Sequence, residues 1–270
     1  MKHNDECLIC GAPLVYLDRA EEMECSVCYE VLPSKTRCAN GHFICDRCHS
    51  PGMTNIVEIC LNMAADAGSR AGEGGGQGAK GAGTTNPAEI LNRLMAQSFC
   101  HMHGPEHHTM VGAALLTAYH NAGGRIGGKY SGADDGEDVP GMSLEEALRE
   151  MMQRGGEVPG GACGFWGACG AGVSAGMFVS IVTGSTPLKE EAWGLANQMT
   201  GKALAAIGTI GGPRCCKRDS YLAMEAACEF CEDKLGVRME WTTPVCRWWK
   251  KNNQCIEMRC PFHRNTFEEE

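Results

Sequence analysis

The sequence predicts a mainly α protein in which a small two-zinc module precedes a larger helical domain, and three observations carry that prediction. Eight candidate metal ligands fall in pairs within the first 48 residues: Cys7/Cys10, Cys25/Cys28, Cys38/His42 and Cys45/Cys48. A glycine-rich run occupies residues 68–85. Beyond it the apolar residues recur at helical spacing, and no period-two strand pattern of useful length occurs outside the module. The expected organisation is a zinc module over 1–52, a short helix and glycine-rich linker or loop over 53–85, and a helical Cys/His-rich domain over 86–265.

In the module, Cys-x-x-Cys recurs three times. Two intervening residues let both thiolates reach one tetrahedral ion, and eight ligands satisfy two ions with none left over. A unit of this size cannot bury enough apolar surface to fold alone, so metal is expected to supply roughly 10 kcal/mol or more per site. The stretch from Cys25 to Cys48, with its centre Cys38-Ala-Asn-Gly-His42-Phe-Ile-Cys45-Asp-Arg-Cys48, resembles the first six ligands of a RING finger. The final Cys pair of a RING does not follow Cys48, and Cys7/Cys10 lie upstream where they can replace it. The pattern therefore reads as a permuted cross-brace, with Cys7, Cys10, Cys38 and His42 on one zinc and Cys25, Cys28, Cys45 and Cys48 on the other. A second pairing stays open, in which Cys7/Cys10 and Cys25/Cys28 form a zinc ribbon and the other four a knuckle. Ubiquitin-ligase function does not follow from the resemblance, because a structural zinc fold does not specify its partner.

Ile56 to Ala67 reads as a short helix packing on the second domain. The glycine run after it is either a tether or an exposed loop. Asn86-Pro87-Ala88-Glu89 then supplies an N-cap, a Pro at the first helical position and a Glu at the third, followed by Ile90, Leu91, Leu94 and Met95. A helix runs from the histidine-rich segment near 107 to about His120. Ser143-x-x-Glu146 is a capping box, with Gly155-Gly156 as the stop. Ala168 to Thr183 is apolar or small on every side and is expected as a central buried helix, its Gly172 and Gly176 admitting close neighbours. Thr186-Pro187 is expected to open a helix to about Ile210, and a last helix is expected from about Ser220 to Leu235, closed by Gly236.

Composition narrows the function. The net charge of −9 disfavours a general nucleic-acid binder. The run Arg247-Trp248-Trp249-Lys250-Lys251 is the one local exception, and it suits a cluster's flank as well as a stacking surface. No stretch of 18 apolar residues occurs and the N-terminus lacks a signal-like run, so a cytoplasmic protein without a membrane span is expected. Eighteen cysteines in a reducing compartment point to metal, cluster or redox chemistry rather than disulfides, and fifteen methionines beside them favour an anaerobic source.

Four segments carry the candidate chemistry. Cys100-His101-Met102-His103-Gly104-Pro105-Glu106-His107-His108 is the most ligand-dense. The helix N-terminus disfavours imidazolium and keeps His107 and His108 neutral, the form that ligates metal or acts as a base. His101 and His103 are candidate ligands, and Glu106 with His107 and His108 candidate acid/base groups. The glycine-rich stretch around Cys163 and Cys169 places two thiols at the entry to a buried helix, where backbone N–H groups can crowd an anion. Pro213-Arg214-Cys215-Cys216-Lys217-Arg218 sets three cations around vicinal thiols and favours thiolate; only one of the two cysteines is expected to serve as ligand or nucleophile. The tail holds Cys228, Cys231, Cys246, Cys255 and Cys260-Pro261, candidate metal ligands for which zinc and iron-sulfur readings both stand. Cys60 has no partner at ligand spacing and is expected in the core.

The Met102-His103-Gly104-Pro105-Glu106-His107-His108 motif, with the Gly-Ala-Cys-Gly and Pro-Arg-Cys-Cys-Lys-Arg motifs, resembles an uncharacterised cysteine-rich prokaryotic domain over about residues 86–263. That resemblance implies domain limits and a choice of site residues, and no activity. The residues themselves point to redox or sulfur-transfer chemistry on a small substrate, or with a protein redox partner. In that reading Cys163, Cys169 and Cys215 or Cys216 hold an iron-sulfur cluster, and the three motifs line one pocket. The alternative is a non-catalytic adaptor that recruits a partner through the zinc module. No motif bears on oligomeric state.

Overall fold

The computed structural model describes residues 7–49, 55–64, 83–127 and 141–264. The extreme N-terminus, the boundary expected at 52/53 and most of the glycine-rich run lie outside them. Two antiparallel strands, β1 (Leu14–Glu24) and β2 (Val31–Cys38), form a ribbon whose register pairs Leu14 with Cys38 and shifts between Tyr16 and Glu21. That pairing brings Cys38 beside the Cys7–Cys10 turn. A one-turn helix α1 (Asp46–His49) follows.

The rest of the described chain is helical. Its elements are α2 (Asn55–Asn62), α3 (Pro87–Met95), α4 (His107–Asn121), α5 (Leu144–Gly156), α6 (Ala162–Phe165), α7 (Gly170–Val182), α8 (Glu190–Ile210) and α9 (Cys216–Phe230), the last running into a π-turn over Cys231–Leu235. The two strongest local signals form as the sequence predicts. The Asn86 side chain accepts the Ala88 N–H at 3.0 Å at the start of α3. Ser143 and Glu146 make both bonds of the capping box at the start of α5.

Three boundaries and one emphasis differ from expectation. Thr186-Pro187 makes a turn closed by Lys189 N–H to Thr186 C=O, and α8 starts only at Glu190. Helix α9 starts four residues before Ser220, because the Asp219 carboxylate accepts the Cys215 N–H at 3.3 Å and so caps the chain earlier. The expected helix over 168–183 starts at Gly170 with Cys169 as its cap. The most enclosed helix is α4, in which every residue from His107 to Tyr119 is buried. Helix α7 lies beside it, joined by the Gly112 N–H to the Ser174 hydroxyl at 2.9 Å.

The glycines of α7 set its spacing from α8. A Cβ at Gly176 would overlap Thr200 Oγ1 and lie 3.2 Å from the Ala196 carbonyl, and one at Gly172 would lie 2.7 Å from Leu204 Cδ2. The single core joins α2 through α9, including Ile56, Leu94, Leu115, Phe178 and Tyr221. Cys60 is fully buried in it, as expected. Among the described residues no helix is long and apolar enough to cross a membrane.

Candidate metal centres and the cleft between them

The module's ligands close into two sets. The ligand atoms of Cys7, Cys10, Cys38 and His42 all lie within 4.8 Å of one another, as do those of Cys25, Cys28, Cys45 and Cys48. This is the cross-brace; the ribbon-and-knuckle pairing is excluded. Each set could hold a metal ion, and three thiolates with one imidazole, or four thiolates, are donor sets that suit zinc. The backbone prepares one thiolate in each set. The Ala12 N–H, ahead of His42 and Asn40, draws Cys10 down to about 6. Burial opposes ionisation of Cys25, but N–H groups of Cys45, Cys28 and Val27 outweigh it and bring Cys25 to about 6.

A third group of ligand atoms forms where the module meets the helical body. His49 from α1, His101 and Glu106 lie within 4.8 Å of one another, and so do Cys100, Glu106 and His107. The His49 and His101 rings stand 4.4 Å apart by centroid. Glu106 is fully buried; its Oε1 accepts the His101 N–H at 2.7 Å and its Oε2 lies 4.0 Å from His49 Nδ1. Burial raises a carboxyl's pKa, yet His101 and His107 outweigh it and hold Glu106 well below the usual carboxylate range. Gly104 makes room for this carboxylate, since a Cβ there would overlap Oε2. Two imidazoles and one carboxylate are a donor set that binds iron(II) or zinc with positions left open.

Behind this group the histidine tautomers follow from their partners. His107 Nδ1 lies 3.1 Å from the Gly104 carbonyl and must donate to it, so Nε2 accepts from the Lys217 ammonium at 3.1 Å. Burial, followed by the Lys217 charge, pushes His107 well below its ordinary pKa. Lys217 is 1% exposed and also donates to Cys100 Sγ at 2.8 Å and the His101 carbonyl at 2.7 Å. His108 Nδ1 donates to the Val158 carbonyl at 2.9 Å, which leaves Nε2 without a proton. Burial lowers its pKa as well. Gly170 lets α7 approach that ring, since a Cβ there would overlap it.

Of these residues His49 and His108 line a cleft with walls from both halves of the molecule. The module contributes His42, Phe43, Asp46 and His49, and the helical body contributes His103, His108, Cys163, Arg214 and Cys216. The halves are tied across it by the Gly160 N–H to Asp46 at 2.7 Å, Arg214 to the Tyr16 hydroxyl at 2.9 Å, and Lys35 over the Phe165 ring at 4.6 Å. Cys169, at the cap of α7, lies within electrostatic reach of Cys163, and Cys216 within reach of Cys169. Burial keeps Cys169 protonated, at about 12, and raises Cys216 well above its ordinary value. The Arg-Cys-Cys-Lys-Arg cations therefore do not make Cys216 a thiolate as the sequence suggests: Arg218 is bound to Asp219, and burial prevails.

The vicinal cysteines part company. Cys216 faces the cleft, whereas Cys215 lines a second, smaller cavity with Cys246, Cys255 and Cys260. Trp248 and Trp249 form part of that cavity's wall. Cys228 and Cys231 are buried in the apolar core, and no third ligand group closes within 4.8 Å of them among the described residues. No disulfide links any of the described cysteines. Sequence reasoning gives no role to His49, whose one hint is that it follows Cys48, and none to Lys217 beyond its charge.

A mainly helical, cysteine- and histidine-rich protein with several sites that could hold metal is thus defined. Over residues 78–263 the chain matches the profile of DUF5714, a family of unknown function, and it belongs to that family. The match takes in α3 to α9, the cleft's Cys163 and Cys216 and the second cavity's four cysteines, and leaves out the module's eight ligands. No curated protein matches the chain, and no solved structure does.

Proposed function

We propose that this protein is a metal-dependent enzyme of redox or sulfur-transfer chemistry, acting on a small substrate in the cleft between the module and the helical body. The observation that carries the reading is the shared cleft, where His49 of the two-histidine, one-carboxylate group, His108 with its unprotonated Nε2, and the Cys163 and Cys216 thiols line one space. Two zinc ions in the module are structural and hold His49 and Asp46 in place. A third ion, held by His49, His101 and Glu106, supplies Lewis acidity or a redox couple when bound.

The side chains divide the remaining work. His108 is placed to take a proton, its tautomer fixed by Val158. Cys216 and Cys163 are the sulfur nucleophiles, and Cys216 must lose its proton to a base such as His108 before it can act, because burial favours the thiol. Arg214 on the rim suits an anionic substrate group. A reducing cytoplasm suits this many thiols. Elemental analysis after anaerobic purification tests the reading: Glu106→Gln should carry one metal ion fewer than wild type while keeping both zincs. A chain with two zincs alone would favour the adaptor reading, which has its own support in the exposed apolar Val27, Tyr29 and Val31 on the module.

A further inference from the structure

We infer that Cys215, Cys246, Cys255 and Cys260 hold a four-iron, four-sulfide cubane cluster in the cavity beneath the C-terminal coil. The four thiols come from three separate stretches of chain and line one space. One zinc ion with 2.3 Å bonds gathers four sulfurs to about 3.8 Å of one another, and the module's two sets close to that scale. The tail thiols form no such set; they stand round one cavity. A cubane takes each cysteine on a different iron and therefore spaces the sulfurs more widely than one ion does.

The local backbone repeats at all four positions. The Cys255 sulfur accepts the Glu257 N–H at 3.4 Å. Cys215 faces the N–H of Arg218, Cys246 those of Trp248 and Trp249, and Cys260 that of Phe262. Cys215 also takes the Asn252 side-chain amide at 3.5 Å. Hydrogen bonds to ligand sulfur are a principal means by which a protein stabilises and tunes such a cluster. The walls between the thiols are apolar, formed by Met102, Tyr221, Trp248 and Phe262, and they exclude water. Arg218, 3% exposed, is the cation on the same wall.

The cluster would lie one peptide bond from the cleft, because Cys215 ligates it while Cys216 faces the reaction space. Its reduction adds one electron to the iron-sulfide core and makes or breaks no bond at the cysteines. The site is independent of the metal proposed in the cleft.

The test uses the full chain, purified anaerobically and reconstituted with ferrous iron and sulfide. It should bind about four iron and four labile sulfide beyond its zinc, absorb broadly in the visible, and give a paramagnetic signal when dithionite supplies one electron. Cys246→Ser and Cys255→Ser should lose most of the iron and the signal while keeping two zincs and the helical circular dichroism. Cys255 is only partly buried, so its variant decides the matter if Cys246→Ser misfolds. Cys163→Ser, Cys228→Ser and Glu106→Gln should each keep the cluster, which separates its failure from failure of the cleft metal. A wild-type chain that takes up no iron and sulfide, that carries zinc on the four tail thiols, or whose iron survives Cys255→Ser and leaves with Cys163→Ser overturns the assignment.

Discussion

His107 and Lys217 show how one buried cation organises the site. The Lys217 ammonium donates to Cys100 Sγ, the His101 carbonyl and His107 Nε2, so it fixes a loop, a thiol and a tautomer together. Replacing it with methionine keeps the volume but strands three buried acceptors, and Lys217→Met should lower stability by about 3 kcal/mol, read from the urea midpoint. The histidines set the pH response. Burial holds His49, His107 and His108 below their ordinary pKa, so the unfolded chain binds more protons than the native one below about pH 6.5. Stability should therefore fall as pH drops from 7 to 5, and His107→Gln should flatten that slope in urea titrations. Of these residues the imidazoles were legible, because a helix start with four histidines is a local pattern. Lys217 was legible only as a charge, since its partners lie more than 100 residues away in the chain.

At the scale of elements, glycine decides how closely helices meet. Gly176 faces Thr200 and the Ala196 carbonyl across the α7–α8 contact, whereas nothing lies within 4 Å of a Cβ at Gly201 on α8. Gly176→Ala should cost about 1–3 kcal/mol by overpacking, while Gly201→Ala should stabilise by about 0.5–1 kcal/mol through helix propensity; thermal unfolding of the pair reads the contrast. The caps at Asn86 and Ser143 could be read directly because the bonds that make them span two or three residues. The starts of α8 and α9 could not, because a turn at Thr186 and a buried Asp219 set them. Nor could the opposite facing of Cys215 and Cys216, which follows from the chain's path between two cavities.

At the scale of the molecule, the module is a wall of the site as well as a folded unit. Its eight ligands were legible because their spacing is a local constraint of tetrahedral metal binding, and of the two pairings that spacing left open the folded chain forms the cross-brace. Its docking on the helical body was not, since it depends on tertiary contacts such as Asp46 to Gly160 and Tyr16 to Arg214. Removing the module's metal should therefore disturb the cleft: Cys25→Ser should lose one zinc and loosen His49 from His101, whereas Cys60→Ser should cost no metal. His49 is the module's one contribution to the two-histidine, one-carboxylate group, and its replacement tests the shared site most directly. Elemental analysis of anaerobically purified His49→Ala should find both module zincs retained and the third metal lost; a third metal bound at the wild-type level would contradict a site built from both halves.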